Sequence, residues 1–224
     1  ILPKLMEYYG VSDDVQLLVG DAIDLANTGA IPQIPQVIPV NTINYDVVMV
    51  LHAGYGEEST GVTGDSWSAF QTFSKSYPTT NGFKEGTVAP VRENKADALG
   101  VTCHEFGHQL GLPDLYDTTN ASDQTRVGMW CLMDYGTWID SGRKPSQLSA
   151  WCKKYLSWID PALPIGTDIS LKNVENNQTG SCYKINISGV ATEYFLIEYR
   201  KKNSAPQISD LAIPGEGILV WHID

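Results

Sequence analysis

Two histidines four residues apart with a glutamate between them, His104-Glu105-Phe106-Gly107-His108, followed by Gly111 and Asp114, constrain this chain more than any other feature. Residues four apart on a helix share a face, so His104 and His108 can offer two imidazole nitrogens to a single zinc ion at about 2.0–2.1 Å. Glu105 lies about 100° further round the helix, where its carboxylate can reach a water on the metal without ligating the metal itself. Gly111 lets the chain turn sharply after the helix, and Asp114 returns as a third ligand, which leaves a fourth position open for water. With four histidines and ten glutamates in 224 residues, chance places His-Glu-x-x-His about once in 300 such sequences, before a helix, Gly111 or Asp114 is required.

Composition narrows the partners. The 15 Lys+Arg against 26 Asp+Glu give a formal net charge of -11, which argues against nucleic acid and anionic membrane, since both attract through phosphates. The densest apolar run, Val47 to Leu51, is far short of the roughly 20 residues of a membrane-spanning helix. The chain begins at Ile1 without a basic-plus-apolar leader, so either a signal peptide has been removed or this is a piece of a longer precursor, and it stops at Asp224 just after an apolar run, so we read it as truncated. Cys103, Cys131, Cys152 and Cys182 lack any Cys-x-x-Cys spacing, which argues against a thiolate metal knuckle. Two disulfides, in one of three connectivities, and four buried thiols both satisfy the count.

Periodicity supplies the frame. Leu2 to Tyr9 suits a short helix ended by Gly10, and Asp13 to Asn44, rich in Asp, Pro and Gly, reads as a long connector. Asp46 to Leu51 reads as a buried strand running into a glycine turn at His52-Ala-Gly-Tyr-Gly56, and Thr87 to Val91 as a shorter strand. The main helix is expected over Glu93 to Leu112, with an apolar stripe at Leu99, Cys103, Phe106 and Leu110, stopped by Gly111 and Pro113. A second helix is expected near Pro145 to Leu156. Period-two segments at Asp168 to Val174, Ser181 to Ile187, Glu193 to Tyr199 and Gly217 to Ile223 predict strands. The fold class is therefore α+β, with a catalytic domain over 1–163 and the start of a β-rich segment over 164–224.

His-Glu-x-x-His-x-x-Gly-x-x-Asp followed by Leu112-Pro-Asp-Leu-Tyr-Asp117 resembles the immune inhibitor A family of secreted bacterial zinc peptidases, relatives of the metzincins. The resemblance extends to Tyr45 through Glu57, Trp130 through Trp138, Leu148 through Trp158 and Gly215 through Asp224, and leaves the first 40 residues uncovered. It implies a zincin-like catalytic domain, secretion or display at the cell surface, and protein or peptide substrates. It also implies that Met133, within Leu-Met-Asp-Tyr-Gly, is the methionine turn that floors the zinc site. Tyr135 falls where some metzincins carry an oxyanion-donating tyrosine, and a packing role accounts for it equally well.

The chemistry expected of such a site is peptide hydrolysis by a zinc endopeptidase. Zinc with three protein ligands lowers the pKa of its water to roughly 7 and polarises the scissile carbonyl. Glu105 would take the water proton and return it to the leaving amine, a role typically worth about 10²–10⁴ in rate. Two other readings compete with this one. Glu193 or Glu198 could serve as a distant third ligand in place of Asp114. A non-catalytic, calcium-stabilised surface adhesion module with a vestigial metal site would use the same residues differently. His52 and His222 read as structural or cleft-lining histidines. Asp117, Asn120 and Asp123 form an oxygen-rich loop that would suit Ca2+ but lacks EF-hand spacing, so a solvated loop is the simpler account.

Overall fold

The computed structural model describes residues 7–8, 15–28, 48–72, 85–91, 99–119, 125–164, 168–174, 179–203 and 209–224. It packs as two units, Ile1–Gln109 and Leu110–Asp224, and its mixture of helices and two three-stranded sheets makes the class α+β.

Glu7 and Tyr8, the described part of the helix expected over Leu2 to Tyr9, are helical, and the next helix, α1 (Val15–Thr28), lies inside the segment that composition assigns to a connector. Asp13, Asp14, Gly20 and Asp21 weigh toward turns, yet Leu18, Val19 and Ile23 fall on one helical face and are 0–2% exposed. Burying three such side chains is worth about 1.5–3 kcal/mol each, which outweighs the propensity of a single glycine. The proline-rich part of that connector, the sequence before Glu7 and the turn at Gly10 lie outside the described residues.

A sheet comes next in the order β1-β3-β2, with β1 (Val48–Ala53), β2 (Ala69–Thr72) and β3 (Glu85–Val91). A short helix, α2 (Glu57–Thr60), lies between β1 and β2. The central strand β3 pairs parallel with β1, His52 facing Pro90 in register, and antiparallel with β2. Pro90 has no N–H to give, and among the described residues β2 pairs with β3 only as far as Val88. The expected strand is present over Val48–Ala53, with Asp46 and Val47 outside the described residues, but Leu51 points outward at 54% exposure while His52 is buried. The principal helix, α3 (Leu99–Gln109), packs on β2 and β3.

In the second unit, two 3-10 turns, Gly128–Trp130 and Tyr135–Trp138, precede α4 (Ala150–Tyr155). This helix begins five residues after the expected Pro145. The side chain of Ser149, itself extended, caps it by accepting from the Cys152 N–H, and 145–149 lie outside any helix or strand. Beyond it β4 (Cys182–Asn186), β5 (Tyr194–Arg200) and β6 (Gly217–Ile223) form an antiparallel meander. Three of the four period-two segments therefore become strands. The fourth, Asp168 to Val174, makes a single bridge, Asn173 to Tyr199 of β5, one residue past the end of the β4 pairing at Glu198. Ala150, Cys182 and Leu196 form a buried cluster against which Trp151, Ile159, Tyr194, Trp221 and Ile223 pack.

The same sheet carries a buried ionic network. Arg200 is fully buried and grips Asp210 with two nitrogens of its guanidinium, and it donates to Glu198 Oε1 at 3.4 Å and to the Trp130 carbonyl at 2.9 Å. Asp210, held at φ 58°, accepts in turn from the Gln147 N–H. Lys153 donates to Gln147 Oε1 at 2.6 Å. Burial pulls the Lys153 ammonium down to about 8, and Glu198 restrains that fall.

Candidate metal centre

Helix α3 puts His104, Glu105 and Gly107 among its buried residues, together with Gly100 and Val101. The expected apolar stripe is not the covered face: Leu99, Phe106 and Leu110 are 37–43% exposed. The helix turns its polar, motif-bearing face inward, which costs desolvation unless those groups are engaged. The described helix runs from Leu99 to Gln109, and the acidic residues Glu93 and Asp97 expected in its first turns lie outside the described residues.

The two imidazoles meet edge to face, with ring centroids 4.8 Å apart. His108 also stacks on Phe70 of β2 at 5.8 Å, which fixes the plane of that ring. After Gln109 the chain reverses at Gly111, whose φ of +96° suits glycine. A side chain there would meet nothing nearer than Tyr155 at 4.0 Å, so the requirement is conformational and not steric. Leu112 then buries itself, and the half-buried Asp114 lies two residues beyond it.

On this one continuous stretch of chain the donor atoms of His104, His108 and Asp114 all lie within 4.8 Å of one another. Ligands at about 2.0–2.1 Å around a tetrahedral ion stand roughly 3.4 Å apart, so small side-chain rotations bring the trio to bonding geometry. Two imidazoles and a carboxylate suit a borderline divalent ion such as zinc better than calcium, which takes six to eight oxygens. The residues present fit the metal.

Immediately after Asp114 the chain is anchored through its backbone. The Leu115 N–H donates to the Met133 carbonyl at 2.8 Å, and the Met133 side chain is fully buried. The turn around Met133 is built by two residues that sequence reasoning does not single out. Asp134 Oδ2 accepts from the Thr125 hydroxyl and from the N–H groups of Arg126, Val127 and Gly128 at 2.8–3.0 Å, while Oδ1 accepts from the Tyr135 N–H. A side chain at Gly136 would collide with the Cys131 carbonyl. The signal is present in Leu-Met-Asp-Tyr-Gly, where an acid and a glycine come soon after the methionine.

The remaining candidates fall elsewhere. Tyr135 is 43% exposed and Asp117 is occupied by Thr119 and by Arg126 at 2.8 Å. The Thr119 hydroxyl and N–H hold the Asp117 carboxyl below the usual carboxylate range, with Arg126 adding to this. Asn120 and Asp123 lie outside the described residues. Glu198 is buried against Arg200 and Trp221, and Glu193 pairs with His222 at 3.1 Å. Both alternative ligands are thus engaged in the β4–β6 sheet, and the donor group found among the described residues contains Asp114. His52 is buried on β1 and His222 exposed on β6, neither in that group.

A helix-borne pair of imidazoles and a carboxylate after a glycine turn form a group that could hold a metal ion in a mixed α+β chain. Residues 39–159 match the model of the catalytic domain of the immune inhibitor A peptidases, M6, and the chain belongs to that family. It is 33% identical over 130 residues to the pre-pro-metalloprotease PrtV of Vibrio cholerae serotype O1, covering 50% of this chain and 14% of PrtV. It is 34% identical over 129 residues to immune inhibitor A of Bacillus thuringiensis subsp. alesti, covering 49% of this chain and 18% of that protein. The match thus spans less than a fifth of the length of either relative. Among the described residues no helix is long and apolar enough to cross a membrane.

Proposed function

We propose that the chain is the catalytic part of an exported zinc endopeptidase with a zincin-like fold, its catalytic domain spanning 1–163 and its β-rich segment 164–224. The convergence of His104, His108 and Asp114 on one helix-turn segment, inside the region matched to a peptidase catalytic domain, carries this reading. His104, His108 and Asp114 would hold the zinc. When bound, the ion supplies Lewis acidity toward the substrate carbonyl and lowers the pKa of water to roughly 7. Glu105, one residue past the first ligand and 7% exposed, accepts the proton of the attacking water and hands it to the departing amine. Met133 forms the apolar floor, and protein or peptide chains are the substrates. An intact general base argues against the adhesion-module alternative.

Glu105→Gln is expected to keep its zinc and lose about 10²–10⁴ in kcat on a casein-type substrate. Asp114→Ala is expected to lose the zinc itself. Elemental analysis alongside casein cleavage reads both, and a Glu105→Gln protein as active as the parent would reject the mechanism. Tyr135→Phe separates the two roles open to that residue: a tenfold or larger fall in kcat at unchanged Tm marks an oxyanion donor, and an unchanged kcat marks a packing residue.

A further inference from the structure

Four cysteines permit three ways of making two bridges, and the folded chain singles out one pair. The Sγ atoms of Cys131 and Cys152 lie 3.8 Å apart, and both residues are fully buried. Ser149 ties them together: its N–H donates to Cys131 Sγ at 3.3 Å and its hydroxyl accepts from the Cys152 N–H at 3.3 Å. A disulfide needs about 2.05 Å between sulfurs, so the two must approach by about 1.8 Å, a displacement shared between two χ1 rotations. The other two cysteines have no such sulfur neighbour among the described residues. Cys103 sits half-buried on α3, and the sulfur of Cys182 on β4 contacts the Tyr183 carbonyl at 3.9 Å.

We propose that Cys131 and Cys152 form a disulfide when the chain folds under oxidising conditions, while Cys103 and Cys182 remain thiols. The bond would tie the segment leading into Met133 to the first turn of α4.

The chemistry is ordinary thiol–disulfide exchange with a small-molecule or protein disulfide as oxidant. One cysteine thiolate attacks a sulfur of the donor disulfide, forming a mixed disulfide and expelling one donor thiolate. The second cysteine, as its thiolate, attacks the Sγ of the first and expels the other donor thiolate. The two cysteines give up two electrons and two protons, and one donor disulfide becomes two thiols. Because both sulfurs are sealed from solvent in the folded chain, exchange takes place before α4 docks on the turn.

The test uses the whole chain refolded in a glutathione and glutathione disulfide buffer, alkylated with N-ethylmaleimide, digested and mapped without reduction. The expected map joins the peptide containing Cys131 to that containing Cys152 and finds alkylated Cys103 and Cys182. Alkylated Cys131 and Cys152, or either one joined to Cys103 or Cys182, would overturn the proposal. Thermal melts give a second reading that does not depend on one variant folding. The oxidised parent and the Cys103→Ser/Cys182→Ser protein should each lose about 5–10 °C in Tm on reduction. Cys131→Ser/Cys152→Ser should be indifferent to reductant, and a parent melt unmoved by dithiothreitol would count against the bond.

Discussion

Gly111 and Gly136 make different demands on the backbone, and the difference can be measured. Gly111 needs only a left-handed φ, so Gly111→Ala is expected to cost about 1–2 kcal/mol in a denaturant melt and to weaken zinc retention by displacing Asp114. Gly136 has no room: the added carbon would strike both the Ser146 hydroxyl and the Cys131 carbonyl. Gly136→Ala should therefore destabilise by about 3 kcal/mol or more, since the backbone carbonyl cannot swing aside as a side chain can. At this scale the sequence discloses His104, Glu105, His108, Gly111 and Asp114 because their spacing along a helix and a turn is itself the signal. It does not disclose Asp134, whose acceptors are used by backbone N–H groups six to eight residues upstream, a pairing that no local pattern encodes.

Among the elements, composition hides α1, and alternation overstates the segment from Asp168 to Val174. In each case packing decides: α1 has a sheet to cover, contacting β1, β2 and β3, and the strand-like segment finds a single bridge. The α4 and β5 pair yields a prediction about pH. Lys153 has its ammonium pulled down to about 8 by burial, against an ordinary 10.5. Between those pH values the unfolded chain binds more protons than the folded one at this residue, so its contribution to stability rises as pH increases from 8 to 10.5. Below pH 8 the full penalty for burying the charge applies. Glu198, Arg200, Asp210 and Cys182 surround it, and Cys182, whose thiol burial raises to about 12, contributes in the opposite sense above pH 9. The comparison is therefore between parent and Lys153→Met: urea melts across the range from neutral pH to the ordinary lysine pKa should show the parent gaining on the variant as pH rises, and parallel curves would contradict this.

For the molecule as a whole, metal retention and the distant sheet set the expectations. Imidazole ligates only as the neutral base, so acidification should release the zinc, and content unchanged from roughly pH 8 to pH 4 would speak against His104 and His108 as ligands. The guanidinium that holds the Trp130 carbonyl comes from Arg200, 70 residues further on, and Asp210, which holds the Gln147 N–H, comes later still. Arg200→Met would strand two buried carboxylates, a loss of about 3–5 kcal/mol expected in the same melts. The division between the proposed domains at 163 is therefore not one at which packing stops. A ribosome making this polypeptide emits His104, His108 and Asp114 well before Arg200 and Asp210, so the Trp130 carbonyl and the Gln147 N–H wait for their buried partners until the last strands are made.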